Sequence, residues 1–313
     1  MERLLWGEKP YHSLDYEMKT IYGEKIYRIA LDAGMTCPNR DGTVGVGGCI
    51  FCSAGGSGDF AMRGTDIAAQ LSAGIAAMRG KHIGNRFIAY FQAFTNTYAP
   101  VAHLDRLYRL ALTQERVVGI SIATRPDCLG DDVIALLKTL RRDFPDKFIW
   151  VELGLQTIHP DTAALIRRGC PLSAFTDVIP KLQAASLPVI AHVILGLPHE
   201  TKEMMLETCR FLNRMHIDGI KLQLLHVLQN TDLSILYREN AFSLLSLEEY
   251  IDIVISCLEV LSPDIVIHRV TGDGPRALLI APLWSLDKRR VLNTLHREMK
   301  KRGTFQSAAF RRN

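Results

Sequence analysis

The chain has 313 residues, 48% of them apolar and 22% charged, with a formal net charge of +4. Such a composition supplies a sizeable core and excludes a disordered or fibrous polypeptide. No apolar run approaches the roughly eighteen residues of a membrane span and the opening MERLLWGEKPYHS has no signal-peptide profile, so a cytoplasmic protein with no membrane partner is expected.

Helix and strand patterns alternate along the chain. A helical stretch over 11–24 precedes a strand over 25–32; a helix over 66–78 precedes a strand over 86–92. Helices over 100–112 and 131–142 are followed by strands over 117–123 and 148–154. Helices over 160–168 and 173–184 lead to a strand over 189–195, and a helix over 202–215 to a strand over 219–225. Six strands separated by helices imply a parallel sheet with right-handed crossovers. A further helix over 247–261, a strand-like run over 265–270, a TGDGP turn over 271–275 holding Asp273, and a basic helix over 286–301 complete the chain. They divide it into a core over 1–239 and an appendage over 240–313, packed on the open side or rim of the core.

Successive strand residues point to opposite faces. Ile88, Tyr90 and Gln92 share a face in the second strand; Gly119, Ser121, Ala123 and Arg125 do in the third, Trp150, Glu152, Gly154 and Gln156 in the fourth, and Lys221 and Gln223 in the sixth. A strand covered on both sides should be almost wholly apolar. One polar face per strand therefore predicts a polar cavity, and so an α/β fold built as a partial six-stranded (β/α) barrel, in place of a closed barrel with a filled interior. Ligands belong at the C-terminal ends of its strands.

The loop after the first strand, AGMTCPNRDGTVGVGGCIFCSAGGSGDF, holds Cys37, Cys49 and Cys52 in the spacing C-x11-C-x2-C among many glycines. Glycine lets backbone approach a ligand closely. Buried inert thiols are the plain alternative, but a glycine-rich polar loop is a poor place to bury them; Cys128, Cys170, Cys209 and Cys257 occupy no ligand spacing and fit that plain reading. A four-iron four-sulfur cluster normally takes four thiolates, so three leave one iron open.

This loop, with YFQAFTNTYAP, SIATRPDCL, VELGLQT, VILGLPHET and RVTGDGPRALLIAPLWSLDKRRVLN in that order, resembles the bacterial YhcC/YtqA-type radical S-adenosylmethionine (SAM) family over residues 10–306. The commonest superfamily spacing is C-x3-C-x2-C; eleven intervening residues mark a few branches only. The resemblance implies a partial barrel, a 4Fe-4S cluster on Cys37, Cys49 and Cys52 with SAM on the fourth iron, and Phe51 beside the adenine. A guanidinium fork suits the methionyl carboxylate, which points to Arg125. Glu152 and Gln156 can bond ribose hydroxyls or the amino group, and Gly196 would let backbone approach the adenine. Where the superfamily often has Gly-Gly-Glu or Gly-Gly-Thr after the second strand, this chain offers Gln92, Thr95 and Asn96. His192, Lys221, Gln223 and His226 line or cap the cavity as candidate catalytic groups. Arg125 and Glu152 also read as strand-end ion-pair residues, a lone strand histidine as a core residue, and Asp273 as a turn residue.

The resemblance further implies a low-potential electron donor such as flavodoxin or ferredoxin, and a tRNA substrate whose wobble-uridine carboxymethylaminomethyl group becomes aminomethyl. Charge distribution points the same way. From residue 286 onward nine Lys or Arg face Asp287 and Glu298, a surplus of +7 that leaves the rest of the chain at −3. A basic tail of this kind suits the phosphates of an anticodon loop, although an ordinary solvated helix has the same composition. Two other classes remain open: a zinc-bearing, non-catalytic tRNA-binding module, and a radical enzyme acting on a porphyrinogen or another small molecule.

Overall fold

The computed structural model describes residues 5–56, 58–62, 64, 66–78, 84–272 and 274–311. Asp273 and Arg312 lie outside the described residues. In chain order the elements are α1 (Leu14–Tyr22), β1 (Tyr27–Leu31), α2 (Ile67–Ala77), β2 (Phe87–Phe91), α3 (Val101–Leu112), β3 (Val117–Thr124), α4 (Asp131–Asp143), β4 (Phe148–Gln156), α5 (Pro160–Leu165), α6 (Leu172–Ala184), β5 (Val189–Leu195), α7 (Lys202–Arg214), β6 (Gly219–Leu224), β7 (Val227–Leu228), α8 (Asp232–Arg238), α9 (Leu247–Val260), β8 (Val266–Arg269), β9 (Leu279–Ala281) and α10 (Lys288–Arg302).

Helix ends follow local chemistry. Ser13 caps α1 by accepting from the Tyr16 N–H, and Gly23 closes that helix in the left-handed region. Ser246 and Glu249 satisfy each other's backbone N–H groups in a capping box at the start of α9. Along α4 the apolar Val133, Leu136, Leu137 and Leu140 recur at helical spacing, and all are buried.

Seven strands form one parallel sheet in the order β1-β2-β3-β4-β5-β6-β8, curled into a half-barrel. The expected six gain a seventh because the β-branched run around Val266 and Ile267 pairs with the free edge of β6. The crossover between β6 and β8 contains α8 and α9. Neither α8 nor the antiparallel β7–β9 pair shows a pattern long enough to read in the sequence. Both sheet edges are occupied. Met62 bridges to Leu31 on β1, its N–H reaching the Ala30 carbonyl at 2.8 Å; Ser13 bridges to Ile267 on β8, whose N–H reaches the His12 carbonyl at 2.7 Å.

Outward strand residues such as Ile122, Val151, Val193 and Leu222 are buried under the helices in the main core. At the strands' N-terminal ends, Ile88, Trp150 and Ile190 pack with Met18 of α1, so that helix plugs the bottom of the barrel. The expected polar interior therefore begins one layer higher. Gln306, fully buried, fastens the ends of the chain: its amide donates to the Ser262 and Ile265 carbonyls (2.6 and 2.9 Å) and its oxygen accepts from the His12 N–H (2.8 Å).

Candidate functional site

Above the α1 plug, the inward positions of five strands carry Tyr90, Ser121, Glu152, His192 and Lys221, brought together by parallel registers that pair Tyr90 with Ser121, Ala123 with Glu152 and His192 with Lys221. Glu152 is the centre. One carboxylate oxygen accepts from the Ser121 hydroxyl at 2.6 Å; the other accepts from His192 Nε2 at 2.7 Å and from the Lys221 ammonium. Lys221 also donates to the Tyr90 hydroxyl at 2.9 Å. Burial pushes the Glu152 carboxyl up, but Lys221, the His192 hydrogen bond and Arg28 together hold it well below the ordinary range, so it is a carboxylate.

Burial, with Lys221 beside it, pushes His192 down to about 4, which makes it a neutral donor to Glu152 at pH 7. The unfolded chain then binds a proton more readily below about pH 6.5. His192 should therefore contribute about 3 kcal/mol that is fully present above pH 6.5 and lost as pH falls toward 4. Thermal unfolding measured from pH 7 to 4 checks this, with His192→Gln expected to show a flatter fall than wild type.

At the strands' C-terminal ends the cysteine loop folds over a cavity of about 210 Å³ lined by Cys37, Cys49 and Cys52. Arg40, inside the loop, holds it closed. Its guanidinium donates to the carbonyls of Cys52, Ser53 and Ala54 at 3.3, 2.5 and 3.3 Å and lies over the Phe94 ring. Gly48, at φ 86°, is required beneath it, since a Cβ there would stand 2.9 Å from Arg40 Nε. Asn39 donates to the Arg167 carbonyl at 2.6 Å and toward Cys49 Sγ at 3.5 Å. The Cys52 thiol and Asn39 as donors, with the Arg125 and Arg40 charges nearby, bring Cys49 down to about 7 against burial; the same Cys49 contact and burial push Cys52 well up. Among the described residues no three His, Cys, Asp or Glu side chains converge as they would about a single ion. Three unbridged thiols on one cavity wall, with no histidine among the donors, form a soft set that fits an iron–sulfur cluster.

Of the residues expected to meet SAM, Phe51, Gln92, Thr95, Arg125, Glu152 and Gln156 line this cavity. Gln156 ends β4 in the left-handed region (φ 60°), after a register slip beyond Gly154, and its amide nitrogen can donate to the Gly154 and Leu155 carbonyls. The Glu152 oxygens accept from three side chains, Ser121, His192 and Lys221. Arg125 closes its fork on Asp127 (2.9 and 2.7 Å) and on the Arg168 and Gly169 carbonyls (2.8 and 3.1 Å), pinning two loops together. Asn96 is fully buried, gives both amide hydrogens to the Phe91 and Ala123 carbonyls, and leaves its Oδ1 without a partner. Gly196 is needed for packing, because a Cβ would meet Leu245 at 2.8 Å.

His192, Lys221 and Gln223 line the same cavity, whereas His226 sits farther out beside Ser285 (3.2 Å). Arg40, Arg168 and Cys170 were missed as cavity residues. Cys170, read as inert from its spacing, is carried to the cluster loop by the α5–α6 connection, a proximity no local pattern encodes. Cys209 and Cys257 are buried against each other, as the plain reading expected.

A second cavity, about 660 Å³, adjoins the first and shares Phe51, Tyr90, Gln92 and Gln223 with it. It lies in the gap between the sheet's two edges, walled by Arg28 and Ala30 of β1 and by Leu224 and Arg269 of β6 and β8. Its mouth reaches Leu286 and Lys288, where α10 begins. That helix buries Val291, Leu295 and Met299 and leaves Lys288, Arg289 and Arg290 exposed at this end, with Lys300 and Lys301 exposed at the other. Arg302 is paired with Asp252 at 2.7 Å.

Residues 37–212 match the radical SAM superfamily and residues 217–301 the radical SAM C-terminal domain. The uncharacterized protein YtqA of Bacillus subtilis is 44% identical over 97% of this chain and 94% of its own. The tRNA uridine(34) acetyltransferase of Dehalococcoides mccartyi is 27% identical over 59% of this chain and 40% of its own. Among solved structures, an archaeal Elp3 from Methanocaldococcus infernus superposes with a TM-score of 0.67 over 90% of this chain and 64% of its own at 17% identity, a likeness of fold. No helix of the described residues is long and apolar enough to cross a membrane. With a three-cysteine loop at the mouth of a parallel half-barrel and a match over more than half its length, the chain belongs to the radical SAM superfamily of enzymes.

Proposed function

We propose that this enzyme acts on the wobble uridine of tRNA, converting a 5-carboxymethylaminomethyl side chain to 5-aminomethyl. The observation that carries the reading is the exposed Lys288–Arg289–Arg290 row at the mouth of the larger cavity, part of a basic tail whose preceding chain is net negative. A polyanion bound there would bring an unstacked loop base to the opening between the sheet edges. The partial likeness to a tRNA uridine(34) enzyme supports the same substrate class.

Membership of the superfamily implies a 4Fe-4S cluster and SAM, held by Cys37, Cys49 and Cys52 with Phe51, Gln92, Thr95 and Gln156 around them. When bound and reduced by a low-potential flavodoxin or ferredoxin, this pair supplies a 5′-deoxyadenosyl radical for hydrogen abstraction. The protein's own residues then orient and shield. Arg40 and Arg125 hold the loops around the cluster site, while Glu152, Lys221 and His192 form a rigid, hydrogen-bonded floor. Gln223 and Tyr90, lining both cavities, stand where cofactor and substrate would meet.

Nucleoside mass spectrometry of tRNA from a strain lacking the gene tests the reading: accumulation of the carboxymethylaminomethyl nucleoside with loss of aminomethyl-derived ones is expected, and an unchanged profile overturns it. In vitro, exchanging Arg289, Arg290, Lys300 and Lys301 for Glu should weaken tRNA binding by more than roughly tenfold at low salt and flatten its salt dependence, with iron and sulfide content unchanged. Equal affinity would show a merely solvated helix.

A further inference from the structure

We propose that Arg28 receives a carboxylate of the substrate at the inner wall of the larger cavity, so that the acidic end of the side chain is the handle by which substrate is chosen. The proposal rests on the wobble-uridine reading for the identity of that carboxylate, and on the geometry alone for the anion site.

Arg28 stands on the inward face of β1 and lines the cavity. Its Nε is buried without a partner, and the hydrogen bond its side chain makes runs from Nη2 to His268 Nδ1 at 2.8 Å. The nearest carboxylate oxygen, Glu152 Oε1, is 3.9 Å away and already accepts from Ser121; the other oxygen of Glu152 belongs to His192 and Lys221. Tyr90, beneath the guanidinium at 5.5 Å, braces its plane. A guanidinium keeps its charge, and this one is partly open to the cavity, with its counter-ion 3.9 Å away and engaged by other donors, so it retains capacity for an arriving anion. Burial lowers the pKa of Arg28, and Glu152 opposes this from a distance. The cavity that Arg28 lines has a mixed wall, apolar at Ala30, Ala77 and Met78 and polar at Gln92, Gln223 and Arg269. A planar carboxylate matches the unused edge of the fork, whereas the exposed cations at α10 suit backbone phosphates.

The test is calorimetry on the anaerobically reconstituted, SAM-bound protein with 5-carboxymethylaminomethyluridine and 5-aminomethyluridine. Wild type should bind the carboxylated nucleoside at least tenfold more tightly, and Arg28→Met should abolish the preference, with Arg28→Lys recovering part of it. Equal binding by wild type, or a preference kept in Arg28→Met, overturns the proposal. If wild type binds neither nucleoside, the uridine reading falls, and the anion site is judged by thermal shift in sodium acetate against sodium chloride at equal ionic strength. A rise in Tm in wild type but not in Arg28→Met keeps it; equal shifts, or none, overturn it. A larger rise with inorganic phosphate than with acetate overturns the carboxylate assignment in favour of a phosphate. In chloride alone Arg28→Met should unfold no earlier than wild type; a fall of several degrees would make Arg28 a structural residue and sink the proposal.

Discussion

Replacing Cys37, Cys49 and Cys52 together by Ala is expected to take bound iron and sulfide from about four each to near zero after anaerobic reconstitution. The three thiols line one small cavity, and Cys49, brought down to about 7 by its neighbours, is already near the thiolate form that metal binding demands. The fold should survive the change, since the loop is held closed by Arg40 on carbonyl groups and by Ser53, whose hydroxyl donates to Asp59 at 2.8 Å. Iron and sulfide assays with the visible spectrum read the result. Full iron and sulfide in the triple variant would move the cluster elsewhere, and zinc without sulfide in the wild type would point to a structural metal.

Glu152→Ala should be the most destabilising single change at the floor of the site, by about 3–5 kcal/mol, because it leaves the buried Lys221 ammonium without its carboxylate. For a chain of this length that corresponds to a fall in Tm of about 5–8 °C. The double variant Glu152→Ala, Lys221→Met removes both charges and should recover part of the loss, a non-additivity that a double-mutant cycle with the two single variants measures directly in calorimetry. Additive losses would mean that the pair is not coupled as its geometry indicates.

The architecture was legible because long amphipathic helices and five- to nine-residue strands carry their periods in the sequence. Strand parity also located the polar layer: Tyr90, Ser121, Glu152 and Lys221 do share the interior. Parity could not say how far down that layer extends, since the plug comes from Met18, a helix residue remote in sequence from Trp150 and Ile190. Nor could it show the partners of each side chain: Glu152 and Arg125 line the cavity as expected, but their hydrogen bonds to Ser121, His192, Lys221 and Asp127 leave no trace in strand parity. Arg28 left a readable trace, a lone charge inside the apolar strand YRIAL. Arg40 left none, because its value lies in reaching three carbonyl groups of its own loop.

Both rims of the sheet are stitched to neighbouring chain, Met62 on one side and Ser13 on the other, so β1 and β8 do not pair through their backbones and touch where Arg28 reaches His268 at 2.8 Å. The gap beside that contact opens toward Lys288, so a polyanion arriving there meets positive charge before it meets the interior. Keeping solvent from a reactive intermediate then falls in part to whatever molecule fills that gap.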